Sequence, residues 1–260
     1  MDITTAIEFN IESAYKKAEQ FAHSHYENFP VISFLIRKDL RKHIAIIYWF
    51  ARTADDIADE GNIPAEERVK LLNFFENRFT ETLEGNYKED FDYALHQTIK
   101  EKNLSSILFY DLQKEEYFAF NKERTDNPFI PASTFKIFNT LVGVETGIIT
   151  DTNFIFKWNG AEHWNSNWNK DLKLKDAFQL SCVPCYQQLA MEIGEERMQF
   201  YIDKENYGNK NISGGIDRFW LSGELRTSQL QQVEILKKLY LNQLSFSKYA
   251  TETVKEIMFI

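Results

Sequence analysis

Several residue types and patterns are scarce in the 260-residue chain, and each shortage excludes a class of protein. The two cysteines, Cys182 and Cys185, are too few for a disulfide scaffold. No apolar run reaches the roughly 18 residues that a bilayer-spanning helix needs. The net charge of −9 lacks the positive excess that is typical of nucleic-acid-binding proteins. We therefore expect a globular protein with no transmembrane segment and no nucleic-acid partner.

The N-terminus lacks the features of a secretory signal. The stretch from Met1 to Tyr15 carries Asp2, Glu8 and Glu12 and has no basic segment before an apolar one. We therefore expect the chain as written to be cytoplasmic. Nothing in the composition indicates an oligomeric state.

Glycine and tryptophan are scarce in the first part of the chain. Residues 1–104 hold two of the ten glycines and one of the five tryptophans, and residues 105–260 hold the others. Few glycines and long stretches of helical periodicity indicate an all-α segment, whereas more glycine and clustered aromatics indicate a mixed one. We predict domains 1–104 and 105–260, with an all-α segment followed by a mixed α/β (α+β) segment. The helices expected in the first domain cover 4–26, 39–59, 64–85 and 90–101.

Acidic residues recur at helical spacing in the second of these helices. Asp55 and Asp59 are four residues apart, so a helix places them on one face, with Arg52 one turn below. Two carboxylates on one face suit Mg²⁺, which prefers oxygen ligands and leaves positions open for phosphate. The alternative is a solvated acidic face with an i,i+3 salt bridge from Arg52.

The segments around these residues resemble a known family. Residues 22–34 (AHSHYENFPVISF), 45–48 (AIIY) and 50–60 (FARTADDIADE) look like the start of a squalene/phytoene synthase of the bacterial hopanoid-pathway type. The resemblance covers about residues 5–104. It implies that Asp55 and Asp59 bind Mg²⁺-diphosphate, and that Tyr48 and Arg52 match neighbouring positions that bind prenyl diphosphate.

The family also needs a second aspartate-rich motif on a later helix, and this chain has no second D-x-x-x-D. We therefore expect a vestigial prenyl-diphosphate module that does not catalyse condensation.

A serine and a lysine in the second domain form an S-x-x-K pattern. Ser133 and Lys136 share one face of a helix that is expected to open at Pro131 and to end near Gly147. The helix N-terminus favours developing negative charge, and the Ser133 amide is placed to bind an oxyanion. A lysine serves as base only when it is neutral or modified, and the neighbouring phenylalanines 135 and 138 are expected to desolvate it. Alone, the pattern is weak, because many helices contain it by chance.

Several further motifs follow in order. They are IPASTFKI at 130–137, ETG at 145–147, SCV at 181–183, YGN at 207–209, SGGIDRFWLSG at 213–223 and QVEIL at 232–236. The ordered set strongly resembles the class D β-lactamases, or oxacillinases, and the penicillin-sensing domains related to them. The resemblance spans about residues 106–260 and implies a serine β-lactamase-like fold. Two aromatic strands expected within 106–121 form an incomplete antiparallel sheet.

The resemblance implies a role for each matching residue. Ser133 is the acylated nucleophile, and Lys136 is the base, carboxylated by CO₂. Ser181 matches the proton shuttle towards the leaving nitrogen. Val183 matches an apolar cover over the lysine, and Trp220 matches the indole that donates a hydrogen bond to the carbamate. The ligand is then a β-lactam.

Two aromatic and sulfur-containing features leave alternatives open. Trp158, Trp164 and Trp168 lie where the family lines its cleft, but they are equally compatible with ordinary packing. Cys182 and Cys185 have C-x-x-C spacing, which is typical of redox or metal sites. Without a βαβ context or a second pair, we expect neither function.

One family motif is absent. The family carries a later K-T-G or K-S-G strand that binds the substrate carboxylate and supplies the second oxyanion donor, and residues 224–260 contain no such triplet. We expect a penicillin-recognising hydrolase whose activity is impaired. The alternatives are a non-enzymatic covalent penicillin sensor and an inactive fusion with a remnant prenyl-diphosphate module.

Overall fold

The structure is a computed structural model that describes most of the chain. The described residues are 9–24, 38–59, 61–102, 106–112 and 115–258. Within them, the side chains of Asp55 and Asp59 are outside the description. The chain divides into two compact units, residues 1–105 and residues 106–260, and each is described by itself.

Helices make up the regular structure in the described part of the first unit. They are α1 (Ile11–Ser24), α2 (Lys38–Asp59), α3 (Ala65–Leu83) and α4 (Asp90–Lys102). Helix α3 begins directly after Pro64 and carries Glu66 and Glu67 in its first turn, where negative charge complements the helix dipole. The ends of α2, α3 and α4 lie close to the predicted ranges, and residues 1–8 and 25–26 fall outside the description.

Small side chains bring the helices of the first unit together. Helix α1 packs against α2 and α4. Ala14 and Ala18 of α1, Ala45 of α2 and Ala94 of α4 are buried. Alanines at these positions allow the helix backbones to approach closely, because no long side chain separates them.

Polar groups buried in the first unit are hydrogen-bonded. The hydroxyl of Tyr15 lies 3.2 Å from Nδ1 of His43 and 3.2 Å from Oγ1 of Thr98. Asp92, which is 2% exposed, accepts hydrogen bonds from Nε of Arg78 at 2.9 Å and from the second guanidinium nitrogen at 3.2 Å. The backbone N–H groups of Lys88 and Glu89 donate to the same carboxylate. These partners offset the desolvation of a buried charge.

The second unit mixes helices with two small antiparallel sheets. Strands β1 (Ile107–Asp111) and β2 (Glu116–Phe120) pair, and α5 (Lys122–Thr125) follows. Its other elements are α6 (Phe135–Glu145), β3 (Ile155–Phe156), β4 (Leu172–Lys173), α7 (Leu174–Gln179), α8 (Val183–Ile193), α9 (Glu195–Lys204), α10 (Gln229–Tyr240) and α11 (Lys248–Met258). The antiparallel sheet predicted within 106–121 is confirmed as β1–β2, and the β3–β4 pair was not predicted.

Helix α6 lies at the centre of the second unit. Its side chains are apolar nearly all round, and most are buried, as expected for a helix enclosed by neighbours. Helices α8 and α11 pack against it. At Gly143, a Cβ atom would lie 2.9 Å from the side chain of Leu189, so glycine permits this close contact between α6 and α8.

The YGN motif and the segment after Gly223 meet at Gly208. Its φ of +56° is left-handed, and a Cβ atom here would lie 2.2 Å from the carbonyl oxygen of Arg226. The side chain of Asn209 accepts from the Arg226 N–H at 3.0 Å and donates to the Glu224 carbonyl at 2.9 Å. The YGN motif therefore anchors the segment that follows Gly223.

The helices that the structure describes contain no span both long and apolar enough to cross a membrane.

Candidate active site

Ser133 lies in a short 3₁₀ turn, Ala132–Thr134, directly before α6. This corrects the prediction that the α-helix opens at Pro131. Ala132 has a left-handed φ of +47°, which an α-helix does not accommodate. Its N–H donates to the carbonyl of Trp220 at 2.9 Å, which ties the turn to a distant segment. Ser133 itself is exposed, as an attacking group needs to be.

Lys136 occupies the first turn of α6 and points to the segment after α7. Its Nζ donates to the carbonyl oxygen of Phe178 at 2.8 Å and to Oγ of Ser181 at 2.8 Å. The ammonium also lies 4.5 Å from the centre of the Phe178 ring. The structure therefore brings together Lys136 and Ser181, two of the predicted site residues.

Burial lowers the pKa of the Lys136 ammonium from 10.5 to about 8. The cause is desolvation, which penalises the charged form. The two hydrogen bonds and the contact with the ring of Phe178 favour the charged form, so they compensate only part of that cost. A lysine in this state is neutral far more often at physiological pH than an exposed one.

Ser181 lies at a sharp corner between α7 and α8. Its φ of +45° is left-handed, which is strained for a residue with a side chain. The Ser181 N–H donates to the Phe178 carbonyl at 3.1 Å, and the Cys182 N–H donates to the Ala177 carbonyl at 2.9 Å. The last turn of α7 thus holds the corner, which directs the Ser181 hydroxyl to Lys136.

Cys182 and Cys185 form a disulfide bond. The sequence analysis expects neither a redox nor a metal function from this C-x-x-C spacing, and that expectation stays a prediction. Cys182 is the N-cap of α8, and its sulfur accepts from the Cys185 N–H at 3.4 Å. The helical turn brings the two residues within bonding reach, with a Cα–Cα distance of 5.4 Å.

Val183 and Trp220 flank this region within the apolar core. Val183 is the first residue of α8 and packs, partly buried, against the core cluster. Trp220 is buried, and its ring stacks on Phe135 with the centres 5.5 Å apart. Phe135 and Phe138 are enclosed in the core, and the ring that contacts the Lys136 ammonium is that of Phe178. We predicted that Phe135 and Phe138 desolvate Lys136. The structure adds the ring of Phe178, which the sequence did not indicate.

The three tryptophans expected near the cleft have different environments. Trp168 is buried, and its indole N–H donates to the Leu180 carbonyl at 3.2 Å, next to the corner at Ser181. Trp158 is 40% exposed and Trp164 is 67% exposed. Trp168 therefore packs in the core, whereas the other two present apolar surface to solvent.

The predicted metal site of the first unit lies on α2. Tyr48, Arg52, Asp55 and Asp59 all belong to this helix. Nε of Arg52 forms an ion pair with Oδ1 of Asp56 at 2.6 Å. This bridge has i,i+4 spacing, and the i,i+3 pairing named as the alternative leads to Asp55. The side chains of Asp55 and Asp59 are outside the described residues. Among the residues whose side chains are described, no three acidic, histidine or cysteine residues cluster as a metal site.

Two features of the site were not predicted from the sequence. The Phe178 carbonyl is a backbone group, and no residue type signals which carbonyl meets a distant ammonium. The cysteine bond had a signal in the spacing of Cys182 and Cys185 at a helix start, since i and i+3 lie on one face.

Known proteins match both parts of the chain. The penicillin binding protein transpeptidase domain family matches residues 83–260, and the squalene/phytoene synthase family matches residues 22–114. These matches confirm both resemblances, so the chain is in two parts.

Individual relatives fall within the same superfamily. The beta-lactamase OXA-10 of Pseudomonas aeruginosa is 52% identical over 135 residues, which is 52% of this chain and 51% of that protein. The regulatory protein BlaR1 of Bacillus licheniformis is 35% identical over 167 residues, 64% of this chain and 28% of that protein. The crystal structure of the class D beta-lactamase YbXI from Nostoc aligns with a TM-score of 0.57 and 42% identity, covering 59% of this chain and 65% of that one. The chain spans about half the length of the first of these relatives.

Proposed function

The chain belongs to the penicillin binding protein transpeptidase domain family, and on that premise we propose that it reacts covalently with β-lactams through Ser133, with Lys136 as the base. The observation that carries the proposal is the contact between Lys136 and Ser181. It joins two motifs of the class D pattern beneath the turn that presents Ser133. A buried lysine with a lowered pKa is the base that a serine nucleophile requires.

The proposed acylation uses groups of this chain in a fixed order. The Ser133 hydroxyl attacks the lactam carbonyl carbon, and Lys136 accepts the hydroxyl proton. The C–N bond of the lactam then breaks, and the Ser181 hydroxyl passes a proton to the leaving nitrogen. Because Ser181 contacts Lys136 directly, it is placed to receive a replacement proton from the lysine. The Ser133 amide, in the turn before α6, stabilises the developing oxyanion.

We further propose that Lys136 is carboxylated by CO₂. The chemistry of the site fits, since only a neutral amine reacts with CO₂ and burial favours that form here. Ser181 and Trp220 are the residues that would hold the carbamate, and Val183 would shield it. When present, the carbamate supplies a carboxylate that is unprotonated at pH 7 and can accept the hydroxyl proton, whereas the free lysine is mostly protonated at that pH.

Acylation and turnover are separate questions for this chain. None of its 260 residues forms a K-T-G or K-S-G triplet. Loss of one oxyanion donor costs about 10²–10³ in rate in other enzymes. We therefore propose that these 260 residues by themselves hydrolyse β-lactams slowly. The match to the regulatory protein BlaR1 favours a second candidate, a covalent penicillin sensor that keeps its acyl group.

A fluorescent penicillin tests the proposal. We expect a covalent label that peptide mapping locates on Ser133, and no label on the Ser133→Ala variant. Ser166→Ala is a matched control, because Ser166 is also exposed and also lies in a 3₁₀ turn, Ser166–Trp168. Equal labelling of the wild type and Ser133→Ala would exclude the proposal. Persistence of the label over hours indicates a sensor, and its loss indicates a hydrolase.

For the first unit we propose a remnant all-α module that binds Mg²⁺ and a prenyl diphosphate. Its support is the family match over residues 22–114 and the position of Asp55 and Asp59 one turn apart on α2. Carboxylates suit Mg²⁺, which in turn binds diphosphate oxygens. Calorimetry with farnesyl diphosphate should show binding that depends on Mg²⁺ and is lost in Asp55→Asn/Asp59→Asn. Binding that is unchanged in this double variant would refute the site.

A further inference from the structure

We propose that the Cys182–Cys185 disulfide is a redox-dependent clamp that positions Ser181 against Lys136. The proposal rests on the proposed function in one respect, since it concerns the same lysine–serine pair. The clamp makes the contact between Lys136 and Ser181 depend on the redox state of the cysteines, which the S-x-x-K chemistry does not require. The two cysteines are positioning residues in this account, and neither contacts the reacting atoms.

The clamp adjoins Ser181 directly in the sequence and closes the turn that follows it. On the side before Ser181, the carbonyls of Ala177 and Phe178 hold the corner through two hydrogen bonds. On the side after it, the disulfide fixes Cys182 to the first turn of α8. A strained residue with a φ of +45° is therefore held from both ends. Such a conformation persists only when its surroundings over-determine it.

The bond lies in the packed core, where separating the two sulfurs displaces neighbouring atoms. Cys182 is fully buried and Cys185 is 8% exposed, and both belong to the core cluster of the second unit. The sulfurs of two thiols stay at van der Waals distance, whereas bonded sulfurs lie closer together. Reduction therefore forces the two sulfurs apart in a close-packed region. The displacement reaches Ser181 first, because Ser181 precedes Cys182 and its strained backbone gains by relaxing.

The chemical step needs a named reductant, for which a dithiol suffices. The dithiol gives two electrons and two protons to the Cys182–Cys185 bond, which becomes two thiols. The reductant becomes its own cyclic disulfide. In the reduced form, the hydrogen bond from Lys136 to Ser181 is lost, and water enters the corner around the ammonium. The pKa of Lys136 then rises towards the ordinary value of lysine.

The first measurement reads Lys136 without any β-lactam. The folded protein, kept free of CO₂ so that Lys136 stays a free amine, is treated with acetic anhydride across a pH series, and mass spectrometry follows acetylation of Lys136. In the oxidised protein we expect a reaction midpoint near pH 8, in line with the lowered pKa of this buried amine. In the dithiol-reduced protein we expect the midpoint to move upward, towards the ordinary value of lysine. An unchanged midpoint with two confirmed free thiols would overturn the clamp.

The second measurement is the rate at which the fluorescent penicillin labels the protein in each redox state. We expect reduction to slow labelling by about tenfold or more, since small misplacements of catalytic groups cost that much. Reoxidation should restore the rate. If neither form is labelled, the proposed function fails, and the lysine midpoints still decide the clamp.

Two variants separate the covalent bond from other effects of the cysteines. Cys185→Ala and Cys185→Ser both remove the bond but keep the Cys182 sulfur as the N-cap acceptor of α8. We expect both to behave as the reduced wild type does, with or without dithiol. Circular dichroism should remain native in all forms. Wild-type midpoints in both variants would refute the proposal, as would two free thiols in the air-oxidised protein or loss of helicity on reduction.

Discussion

Lys136 and Ser181 are 45 positions apart in the chain, and the lysine Nζ donates to the serine Oγ across 2.8 Å. The contact joins the first turn of α6 to the corner between α7 and α8. It places a partly buried ammonium against the hydroxyl of a residue with a strained backbone, two features that each cost stability when considered alone. Natural proteins keep such arrangements mainly at functional sites, where stability is exchanged for reactivity.

Replacing Lys136 with methionine should stabilise the protein and abolish acylation. The folded state at pH 7 holds an ammonium whose pKa is lowered by burial, and methionine removes that desolvation cost. The acceptors Phe178 and Ser181 lose a donor, which offsets part of the gain. We expect the free energy of unfolding to rise by about 1–3 kcal/mol at pH 7. Urea denaturation measures it, and a variant less stable than the wild type would contradict the interpretation.

The same lysine predicts how stability depends on pH. Its pKa is about 8 in the folded protein and 10.5 as the ordinary value, so between these pH values the unfolded chain binds more protons. Wild-type stability should therefore rise from about pH 8 towards pH 10, and the advantage of Lys136→Met should shrink. Denaturation midpoints of both proteins at pH 7, 8 and 9 test this. A gap that stays constant would mean that the lysine keeps its ordinary pKa.

Substitutions at Ser181 should separate strain from the hydroxyl. Ser181→Ala and Ser181→Gly both remove the acceptor for Lys136, but only glycine adopts a φ of +45° without strain. We expect both variants to lose most of the acylation rate. We also expect Ser181→Gly to be more stable than Ser181→Ala by about 1 kcal/mol. Thermal unfolding compares the two, and a more stable alanine variant would show that the corner relaxes freely.

Gly208 should tolerate no side chain. A Cβ atom would lie 2.2 Å from the Arg226 carbonyl oxygen, which is backbone and cannot rotate away. We expect Gly208→Ala to lower the free energy of unfolding by about 3 kcal/mol or more. Gly147→Ala is the matched control, because Gly147 also has a left-handed φ, +74°, with no atom within 4 Å of the added Cβ. That variant should cost only about 1 kcal/mol, and similar losses in both would mean that backbone strain alone matters.

Asp92 should be a major stabilising residue of the first unit. Its buried carboxylate accepts from the guanidinium of Arg78 and from two backbone N–H groups. We expect Asp92→Ala to cost about 3 kcal/mol, because it leaves two backbone amides without their acceptor and removes the buried carboxylate from a guanidinium that keeps its ion pair with Glu89. Glu84→Ala, at an exposed position, serves as the control. Chemical denaturation of the two variants followed by circular dichroism should show a loss for Asp92→Ala alone.

The locations of the helices followed from periodicity and from residues that stop or start helices, as at Pro64 and Gly147. The start of α6 was less predictable. The S-x-x-K pattern suggested that Ser133 and Lys136 share one helix, whereas the structure places Ser133 in a 3₁₀ turn. The reason is a hydrogen bond from Ala132 to the Trp220 carbonyl, a contact with a segment far along the chain.

The amino-acid sequence specifies which residue types the chain offers, their order and their spacing. The S-x-x-K and S-x-V motifs, the C-x-x-C pair and the aspartates of α2 were all evident at that level, because local spacing on a helix fixes which residues share a face. Tertiary packing brings distant groups together. The partial burial of Lys136 and its contacts with Phe178 and Ser181 depend on how α6 and α7 and the corner after α7 pack. Desolvation and hydrogen bonding arise between segments, and no local pattern contains them.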